Sequence, residues 1–323
     1  MKVLITGGAG YIGSTLTQRL LSGGHEVRVL DKLMHGGDSL LGAWSHEHFT
    51  FVRGDVGDRC CVRSALHGVD AVVHLAAIVG DPACARHPEL AVATNQQAAL
   101  ATLEDAKAAG VSRFVFASTC SNYGKMADPG RFLDETAELR PVSLYAETKV
   151  AVELAVLDPA RSGGLAATSL RLATVFGVSP RMRFDLTVNE FTLELCRGKE
   201  LVVFGEQFWR PYVHVRDVAR AVAAALDAPP EKVRNQVFNV GSTEQNYTKQ
   251  QLVEMILKHV PAGKIRYVHK EEDPRDYRVS FARIERVLGF RTTRSVEDGV
   301  LEVMRLVRDG VLCDFDQPKY RNV

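Results

Sequence analysis

The sequence lacks any hydrophobic run long enough to cross a membrane, and it carries almost no net charge. Its 40 Lys and Arg residues balance 39 Asp and Glu residues, and no basic run interleaves with aromatic residues. These absences argue against nucleic acid and anionic membrane surfaces as partners. The first predicted strand begins within two residues of Met1, which leaves no room for a signal peptide, so we expect a cytoplasmic protein.

Cysteine occurs six times but in no recognisable framework. Cys60 and Cys61 are adjacent, and the sequence contains no C-x-x-C pair. We therefore expect reduced thiols, and we expect neither a disulfide scaffold nor a metal site. With 323 residues, of which 46% are hydrophobic, the chain can build a large core and more than one lobe.

The first motif that the sequence does contain lies at its N-terminus. Val3, Leu4 and Ile5 form a continuous apolar run, which is typical of a strand covered on both faces. Three glycines follow at G-x-x-G-x-x-G spacing, and apolar residues then recur at helical period; the glycines are Gly7, Gly10 and Gly13. A plain turn is the simpler interpretation of a glycine-rich stretch. The strand before it and the helix after it favour a cradle for a pyrophosphate at a helix N-terminus.

Asp31 ends the second predicted strand, at 26–30, and lies 18 residues past Gly13. A carboxylate at this place accepts hydrogen bonds from both hydroxyls of an adenosine ribose and repels a 2′-phosphate, which favours NAD over NADP. The alternative is a turn or helix cap, and the neighbouring Lys32 weakens the argument against NADP.

Further strands predicted at 49–52, 71–74 and 113–117 alternate with helices, the longest at 89–109. This alternation predicts an α/β fold with a parallel, doubly wound sheet. The hydroxyl-rich segment 118–124 follows the last of these strands, at the edge where such sheets bind their ligands.

Tyr145 and Lys149 are four residues apart and share one face of a helix predicted at 142–157. The lysine charge is expected to lower the pKa of the phenol from about 10, which makes a phenolate available as a general base. A surface pair is the usual explanation of this spacing alone. Its position, 26 residues past Thr119, favours a catalytic role.

Together these motifs resemble the extended short-chain dehydrogenase/reductase superfamily, in its nucleotide-sugar epimerase/dehydratase branch. The matching segments are Thr6–Gly13, Asp31, Gly54-Asp55-Val56, His74-Leu-Ala-Ala77, Ser118-Thr119, Tyr145-x-x-x-Lys149, Arg210–Asp217 and Phe238–Gly241. The resemblance implies a Rossmann doubly wound sheet with a smaller C-terminal α/β substrate-binding lobe. We expect the NAD-binding domain at 1–173, rejoined at 212–242, and the substrate-binding lobe at 174–211 and 243–323.

The resemblance also implies residue roles. Tyr145 is expected to act as acid and base on a sugar hydroxyl, usually at carbon 4, with Thr119 on the same oxygen and Lys149 on the nicotinamide ribose. Contacts to NAD are expected from Gly7, Gly10, Tyr11, Ile12, Gly13, Asp31, Asp55, Val56, Leu75, Ala76, Ala77, Asn95, Ser118, Tyr145 and Lys149. Contacts to a nucleotide-diphosphate sugar are expected from Thr119, Thr174, Asn189, Arg210 and Arg275. The last two are predicted phosphate clamps, whereas surface ion pairs are favoured for Arg181 and Arg183.

The chain departs from the family pattern at two places. Dehydratases of the family carry an Asp and a Glu directly after the Ser or Thr, where this chain has Cys120 and Ser121. This change disfavours dehydration and decarboxylation. Cys120 stays a candidate weak acid, with an ordinary pKa near 8.5, although a space-filling role is favoured. Thr174 stands where many relatives have an Asn, so the pose of the sugar or diphosphate is expected to differ.

The sequence therefore predicts an NAD-dependent enzyme that epimerises carbon 4 of a nucleotide-diphosphate sugar through a transient 4-keto intermediate. Three alternatives remain: a 4-keto-sugar reductase, a dehydratase that uses Cys120 as its acid, and a non-catalytic NAD-sensing protein. The helix at 142–157 has apolar residues on several faces, which predicts a homodimer, with burial inside one subunit as the alternative. These residues are Val150, Val152, Leu154 and Val156.

Overall fold

The computed structural model of the protein describes residues 1–126, 128, 130–273 and 275–322. Two positions of the polar loop at 125–140, and Pro274 within the Asp273–Tyr277 segment, lie outside the described residues. The strands are β1 (Lys2–Thr6), β2 (Glu26–Asp31), β3 (Phe49–Arg53), β4 (Ala71–His74), β5 (Arg113–Thr119), β6 (Ala166–Leu172), β7 (Thr174–Phe176), β8 (Glu200–Phe204), β9 (Trp209–His214), β10 (Gln236–Val240), β11 (Asn246–Thr248) and β12 (Lys264–Val268). The α-helices are α1 (Tyr11–Ser22), α2 (Leu41–Trp44), α3 (Arg59–Leu66), α4 (Asp81–Arg86), α5 (Pro88–Val92), α6 (Ala99–Ala108), α7 (Leu144–Leu157), α8 (Pro159–Ser162), α9 (Thr187–Cys196), α10 (Val215–Asp227), α11 (Pro230–Val233), α12 (Lys249–Leu257), α13 (Ala282–Leu288) and α14 (Val296–Arg308).

Seven strands of the described chain form a parallel sheet in the order β10-β6-β5-β4-β1-β2-β3. Val3 and Ile5 belong to one core cluster and Leu4 to another, because helices cover both faces of the sheet. The strand order reverses at β1, which pairs with β2 on one side and β4 on the other. The carboxyl ends of β1 and β4 therefore open the crevice in which such sheets bind ligands. The predicted doubly wound α/β fold is confirmed.

Smaller sheets follow the main one along the chain. Strands β7, β9 and β11 form a three-stranded sheet, and β8 pairs with β12. They surround a separate core that includes Phe176, Tyr212 and Val300. Strand β9 thus belongs to the small sheet, and the chain rejoins the main sheet through β10, after α10 has packed against α1.

Local structure refines several predictions. The helix expected at 89–109 consists of α5, a π-helical stretch at Ala93–Ala98, and α6. The segment 32–47, between β2 and β3, contains a short 3₁₀ helix and α2. Asp58 caps α3, since its carboxylate accepts from the backbone amides of Cys60 and Cys61. No helix in the described part of the chain is long and apolar enough to span a membrane.

Candidate active site

The glycine turn packs closely between β1 and α1. Gly7 has a φ of +75°, and a Cβ there would lie 2.8 Å from the backbone nitrogen of Ala76. A Cβ on Gly13 would collide with the carbonyl oxygen of Gly7, whereas one on Gly10 would approach only that oxygen, at 3.2 Å. Helix α1 also begins without a side-chain cap. Its first amides are thus free to bind a pyrophosphate, as the sequence predicts.

The carboxylate of Asp31 lies beside this turn at the end of β2. Its Oδ2 accepts from the amide of Ala9 at 3.0 Å, and its Oδ1 accepts from the amide of Leu33 at 2.7 Å. Backbone bonds fix the carboxylate and leave each oxygen a second lone pair for a ribose hydroxyl. Lys32 turns away, because its Nζ is 3.0 Å from Oδ2 of Asp55. The reservation about NADP that Lys32 raised is therefore weakened.

His74 lies at the end of β4, where the crevice opens. Its Nδ1 lies 3.0 Å from Oγ1 of Thr6, which ties β4 to β1, and its ring stacks on Phe114 and Phe116. Burial, together with the positive charge of Lys149, lowers the pKa of His74 to about 3. The imidazole is therefore neutral, and the predicted cofactor contacts that follow it are half-buried at the crevice: Leu75, Ala76 and Ala77.

Thr119 closes β5 and begins the next short helix. Its Oγ1 accepts from the amide of Ser121 at 3.1 Å, so its hydroxyl proton stays available for a ligand oxygen. The neighbouring Ser118 is buried, and its hydroxyl accepts from the side-chain amide of Asn122 at 3.0 Å.

Tyr145 and Lys149 occupy successive turns of α7, as predicted. The Lys149 ammonium donates to the carbonyl of Ala117 at 2.8 Å and lies 5.9 Å from the centre of the Tyr145 ring. Burial lowers the pKa of Lys149 to about 8.

The expected lowering of the Tyr145 pKa is wrong for the chain by itself. Burial raises the pKa of this phenol, and the positive charge of Arg183 opposes that rise only in part. The predicted pKa included the effect of the Lys149 charge but not the loss of water around the Tyr145 ring. That loss has the larger effect, because it penalises the phenolate.

The two positions after Thr119 hold no acid. Cys120 is 1% exposed within the core, and its thiol donates to the carbonyl of Arg171 at 3.3 Å. Burial raises its pKa, which argues against a role as catalytic acid and supports a space-filling role. Ser121 faces the phenol of Tyr277, with the two oxygens 3.4 Å apart. Burial raises the pKa of Tyr277 to about 12.

Two asparagines that are predicted ligand contacts form hydrogen bonds to nearby backbone groups. Asn95 accepts from the amide of Ile78 at 2.7 Å and donates to its carbonyl at 2.9 Å. Asn189 is fully buried, accepts from the amide of Gly177 at 2.9 Å and donates to the carbonyl of Arg183 at 2.9 Å. Backbone groups already bond these amides, and the two ligand contacts stay predictions.

Other predicted contacts fall at the edges of the crevice. Tyr11 is buried at the start of α1, and its hydroxyl donates to the carbonyl of Gly177 at 2.7 Å. Val56 is buried, Ile12 packs against the core, and Thr174 is half-buried at the start of β7. The hydroxyl of Tyr11 is therefore given no direct role in ligand binding, whereas the backbone of Tyr11 lies in the glycine turn.

The two predicted phosphate clamps are paired with carboxylates. Arg210 donates to Oδ2 of Asp273 at 2.8 Å and also to the carbonyl of Arg275. Arg275 donates to Oδ2 of Asp81 at 2.7 Å. Neither aspartate nor Tyr277 is among the site residues predicted from the sequence, although Asp273 and Tyr277 each lie two residues from Arg275.

The comparisons with known proteins identify the family of the chain. The sequence model of the NAD dependent epimerase/dehydratase family matches residues 3–241. The dTDP-glucose 4,6-dehydratase of Streptomyces niveus is 32% identical over 96% of this chain and 93% of its own length. The UDP-glucose 4-epimerase of Corynebacterium glutamicum is 31% identical over 79% of each chain. The structure of the Thermus thermophilus UDP-glucose 4-epimerase in complex with NAD superposes with a TM-score of 0.83 at 28% identity, over 95% of this chain and 99% of that one.

The chain belongs to the NAD-dependent epimerase/dehydratase family, within the extended short-chain dehydrogenases/reductases. It is an enzyme with NAD as its cofactor. The glycine turn, the uncapped start of α1 and the fixed carboxylate of Asp31 fit that cofactor.

Proposed function

We propose that the protein catalyses net epimerisation at carbon 4 of a nucleotide-diphosphate sugar through a transient 4-keto intermediate. The observation that carries the proposal is the absence of an acid at both positions after Thr119. Cys120 packs into the core, and Ser121 faces the phenol of Tyr277. Epimerisation needs one acid/base group on the carbon 4 hydroxyl, whereas loss of water needs a further proton donor and a further base.

In this proposal NAD bound at the glycine turn would supply the hydride acceptor and donor for carbon 4, so that the hydride lost from the sugar could return to the opposite face of the ketone. Tyr145 removes the proton of the carbon 4 hydroxyl and gives it back when the ketone is reduced. Thr119 donates its free hydroxyl proton to the same oxygen and orients it. Because burial raises the pKa of Tyr145, proton removal needs positive charge near the ring. Lys149, 5.9 Å from the ring centre, and Arg183 supply that charge.

The diphosphate of the substrate is assigned to Arg210 and Arg275, whose planar guanidinium groups suit phosphate oxygens. Both lie near Tyr277, since the guanidinium of Arg210 is 5.5 Å from that ring and Arg275 is two residues away. Their present partners, Asp273 and Asp81, would have to yield or rearrange when a diphosphate binds. Thr174, half-buried at the start of β7, remains the proposed contact where relatives have Asn.

A dehydratase is the second candidate, because a relative with that name aligns over 96% of this chain. Such a reaction would need an acid to replace those missing at Cys120 and Ser121. The geometry favours epimerisation over this candidate.

The test is to incubate the purified protein with UDP-glucose, UDP-galactose, UDP-glucuronic acid and dTDP-glucose, without added cofactor. NMR and mass spectrometry of the products distinguish the candidates. Epimerisation gives an isomer of unchanged mass, whereas dehydration gives a product that has lost one water. A protein that carried NAD yet left this panel and the corresponding GDP- and CDP-sugars unchanged would refute the proposal. Turnover that required added NAD or NADP and released one reduced cofactor per 4-keto sugar formed would favour the reductase, acting in its reverse direction, instead.

We also propose a homodimer, through only part of the set of residues first expected. Val152 and Val156 are buried within the subunit, so they are not available to a partner. Leu154 on α7 is 59% exposed, and a shallow groove between α6 and α7 is lined by Leu100 and Ala155. Light scattering should show a dimer that Leu154→Arg converts to a monomer. Leu301→Arg, at an exposed position on α14, is the control and should leave the mass unchanged.

A further inference from the structure

One arginine buried in the described part of the chain forms no ion pair there. The buried arginines of the described chain are Arg171, Arg181, Arg183 and Arg210. Their ion pairs are Arg171 with Glu153, Arg183 with Asp185, and Arg210 with Asp273. Arg181 is 6% exposed and forms no ion pair with any described residue. Its Nη2 donates to the carbonyl of Arg321 at 3.2 Å, while its buried Nε has no hydrogen-bond partner among the described residues.

Arg181 lies beside the cofactor crevice. Two residues before it, the hydroxyl of Ser179 donates to the carbonyl of Tyr11 at 2.6 Å and lies 3.2 Å from the hydroxyl of Ser14. These contacts hold the segment against the first turn of α1. The guanidinium also interacts electrostatically with Asp31, the carboxylate assigned to the adenosine ribose. It is therefore placed near the uncapped start of α1, on the adenosine side.

The positive charge at this place is only partly compensated, because Asp185 and Asp31 attract it electrostatically but Asp185 is already paired with Arg183. Burial and the like charge of Arg183, opposed in part by Asp185 and Asp31, lower the pKa of Arg181 to about 10, so the guanidinium still carries its charge at neutral pH. His35, on the loop after β2, is half-buried nearby, and burial together with the two arginines lowers its pKa to about 4. The imidazole is neutral and supplies no counter-charge. A buried cation that forms no direct ion pair is costly, so an anion is the expected occupant of this place.

We propose that Arg181 binds the pyrophosphate of NAD, from the side opposite the amides of α1. The segment after β7 would then hold the cofactor together with the glycine turn. The C-terminal residues support this arrangement, because the carbonyl of Arg321 orients the guanidinium and Lys319 lies 3.5 Å from Asp38 on the loop after β2. Release of NAD would require this whole segment to move. A cofactor held in this way stays bound between turnovers.

The first experiment compares Arg181→Gln with a matched control, Arg197→Gln. Arg197 lies just after α9 and pairs through both Nη atoms with Asp316, at 2.9 Å each. Acid extracts of the purified proteins report how much NAD each retains. We expect Arg181→Gln to lose most of its NAD and the control to retain as much as the wild type.

The second experiment measures dissociation constants for NAD, ADP-ribose, adenosine and UDP by calorimetry on cofactor-free protein. Loss of a charge-assisted hydrogen-bonding group predicts binding of NAD and ADP-ribose at least about tenfold weaker in Arg181→Gln. Adenosine, which has no phosphate, and UDP, which reports the substrate's diphosphate, should bind within about twofold of the wild type.

Three results would overturn the proposal. Unchanged ADP-ribose binding would show that Arg181 does not contact the pyrophosphate. An equal loss of affinity for adenosine and ADP-ribose would indicate that Arg181 has a structural role. A loss confined to UDP would assign the guanidinium to the substrate. If Arg181→Gln does not fold, Arg181→Lys keeps the charge but not the planar fork, and it should show a smaller loss for ADP-ribose with adenosine unaffected.

Discussion

The phenol oxygen of Tyr277 lies 3.4 Å from the hydroxyl oxygen of Ser121, 156 residues away in the sequence. Ser121 occupies the position at which dehydratases of the family are expected to carry a glutamate. Burial raises the pKa of Tyr277 to about 12, so the phenol keeps its proton at neutral pH and is a poor base. The pair therefore offers hydroxyl groups to a sugar, but no group that readily removes a proton from carbon.

Replacing Ser121 by Glu should introduce the missing base. With a 4-keto intermediate at the site, we expect Ser121→Glu to remove the proton at carbon 5, which the neighbouring ketone makes acidic. The measurement is incorporation of solvent deuterium at carbon 5, followed by NMR in heavy water. Ser121→Gln has nearly the same shape without the charge and should incorporate none. Equal incorporation in wild type, Glu and Gln proteins would contradict this account of the pair.

Replacing Asp81 by Asn should strengthen nucleotide-diphosphate binding. Asp81 pairs with Arg275 at 2.7 Å, and Asn retains the oxygen that accepts from Ser143. The side chains of Arg275 and Asp81 are 42% and 27% exposed, so solvent screens the pair. An ion pair of this kind contributes up to about 1 kcal/mol, so UDP should bind about two- to fivefold more tightly.

Calorimetric titration with UDP checks this expectation. The control is Glu138→Gln, which removes a carboxylate from an exposed pair with Arg140. It should leave UDP binding unchanged. Weaker or unaltered binding in Asp81→Asn would show that Arg275 is not released to the diphosphate.

His74 should make the fold sensitive to acid. Its pKa is lowered to about 3 by burial, against an ordinary value of about 6.5, so the unfolded chain takes up a proton at a higher pH than the folded chain. The free energy of unfolding therefore falls as the pH drops from about 6.5 towards about 3. The part due to His74 is about 2 kcal/mol between pH 7 and pH 5.

Urea unfolding of the wild type and His74→Gln at both pH values tests this. The variant retains a polar group to bond Thr6 but has no proton to gain in this range. Between pH 7 and pH 5 the free energy of unfolding should fall by about 2 kcal/mol less in the variant than in the wild type. Identical losses in the two proteins would show that His74 is not the group responsible.

The sequence was sufficient to predict the elements whose signal is local. Val3–Ile5, the glycine spacing and the four-residue interval from Tyr145 to Lys149 depend only on neighbours in the chain, and the structure places them as expected. Asp31 also belongs to this group, because its distance from the glycines follows from one strand-helix-strand unit.

Pairings between distant residues were not predictable from the sequence. Arg275 meets Asp81 across 194 residues, and the amide of Asn189 reaches the hydroxyl of Tyr11 across 178. No local pattern encodes such contacts. For the same reason the direction of the Tyr145 pKa shift was mispredicted, since burial follows from the whole fold, whereas the position of Lys149 is visible in the sequence.

The central claim, that a hydride leaves carbon 4 and returns to it, is tested most directly with a substrate of the protein deuterated at carbon 4. We predict that the epimerised product retains the deuterium at carbon 4 and that no external reduced cofactor is needed. NMR and mass spectrometry of the product report the position of the label. A product that has lost water and carries the deuterium at carbon 6 would contradict the account and identify a dehydratase.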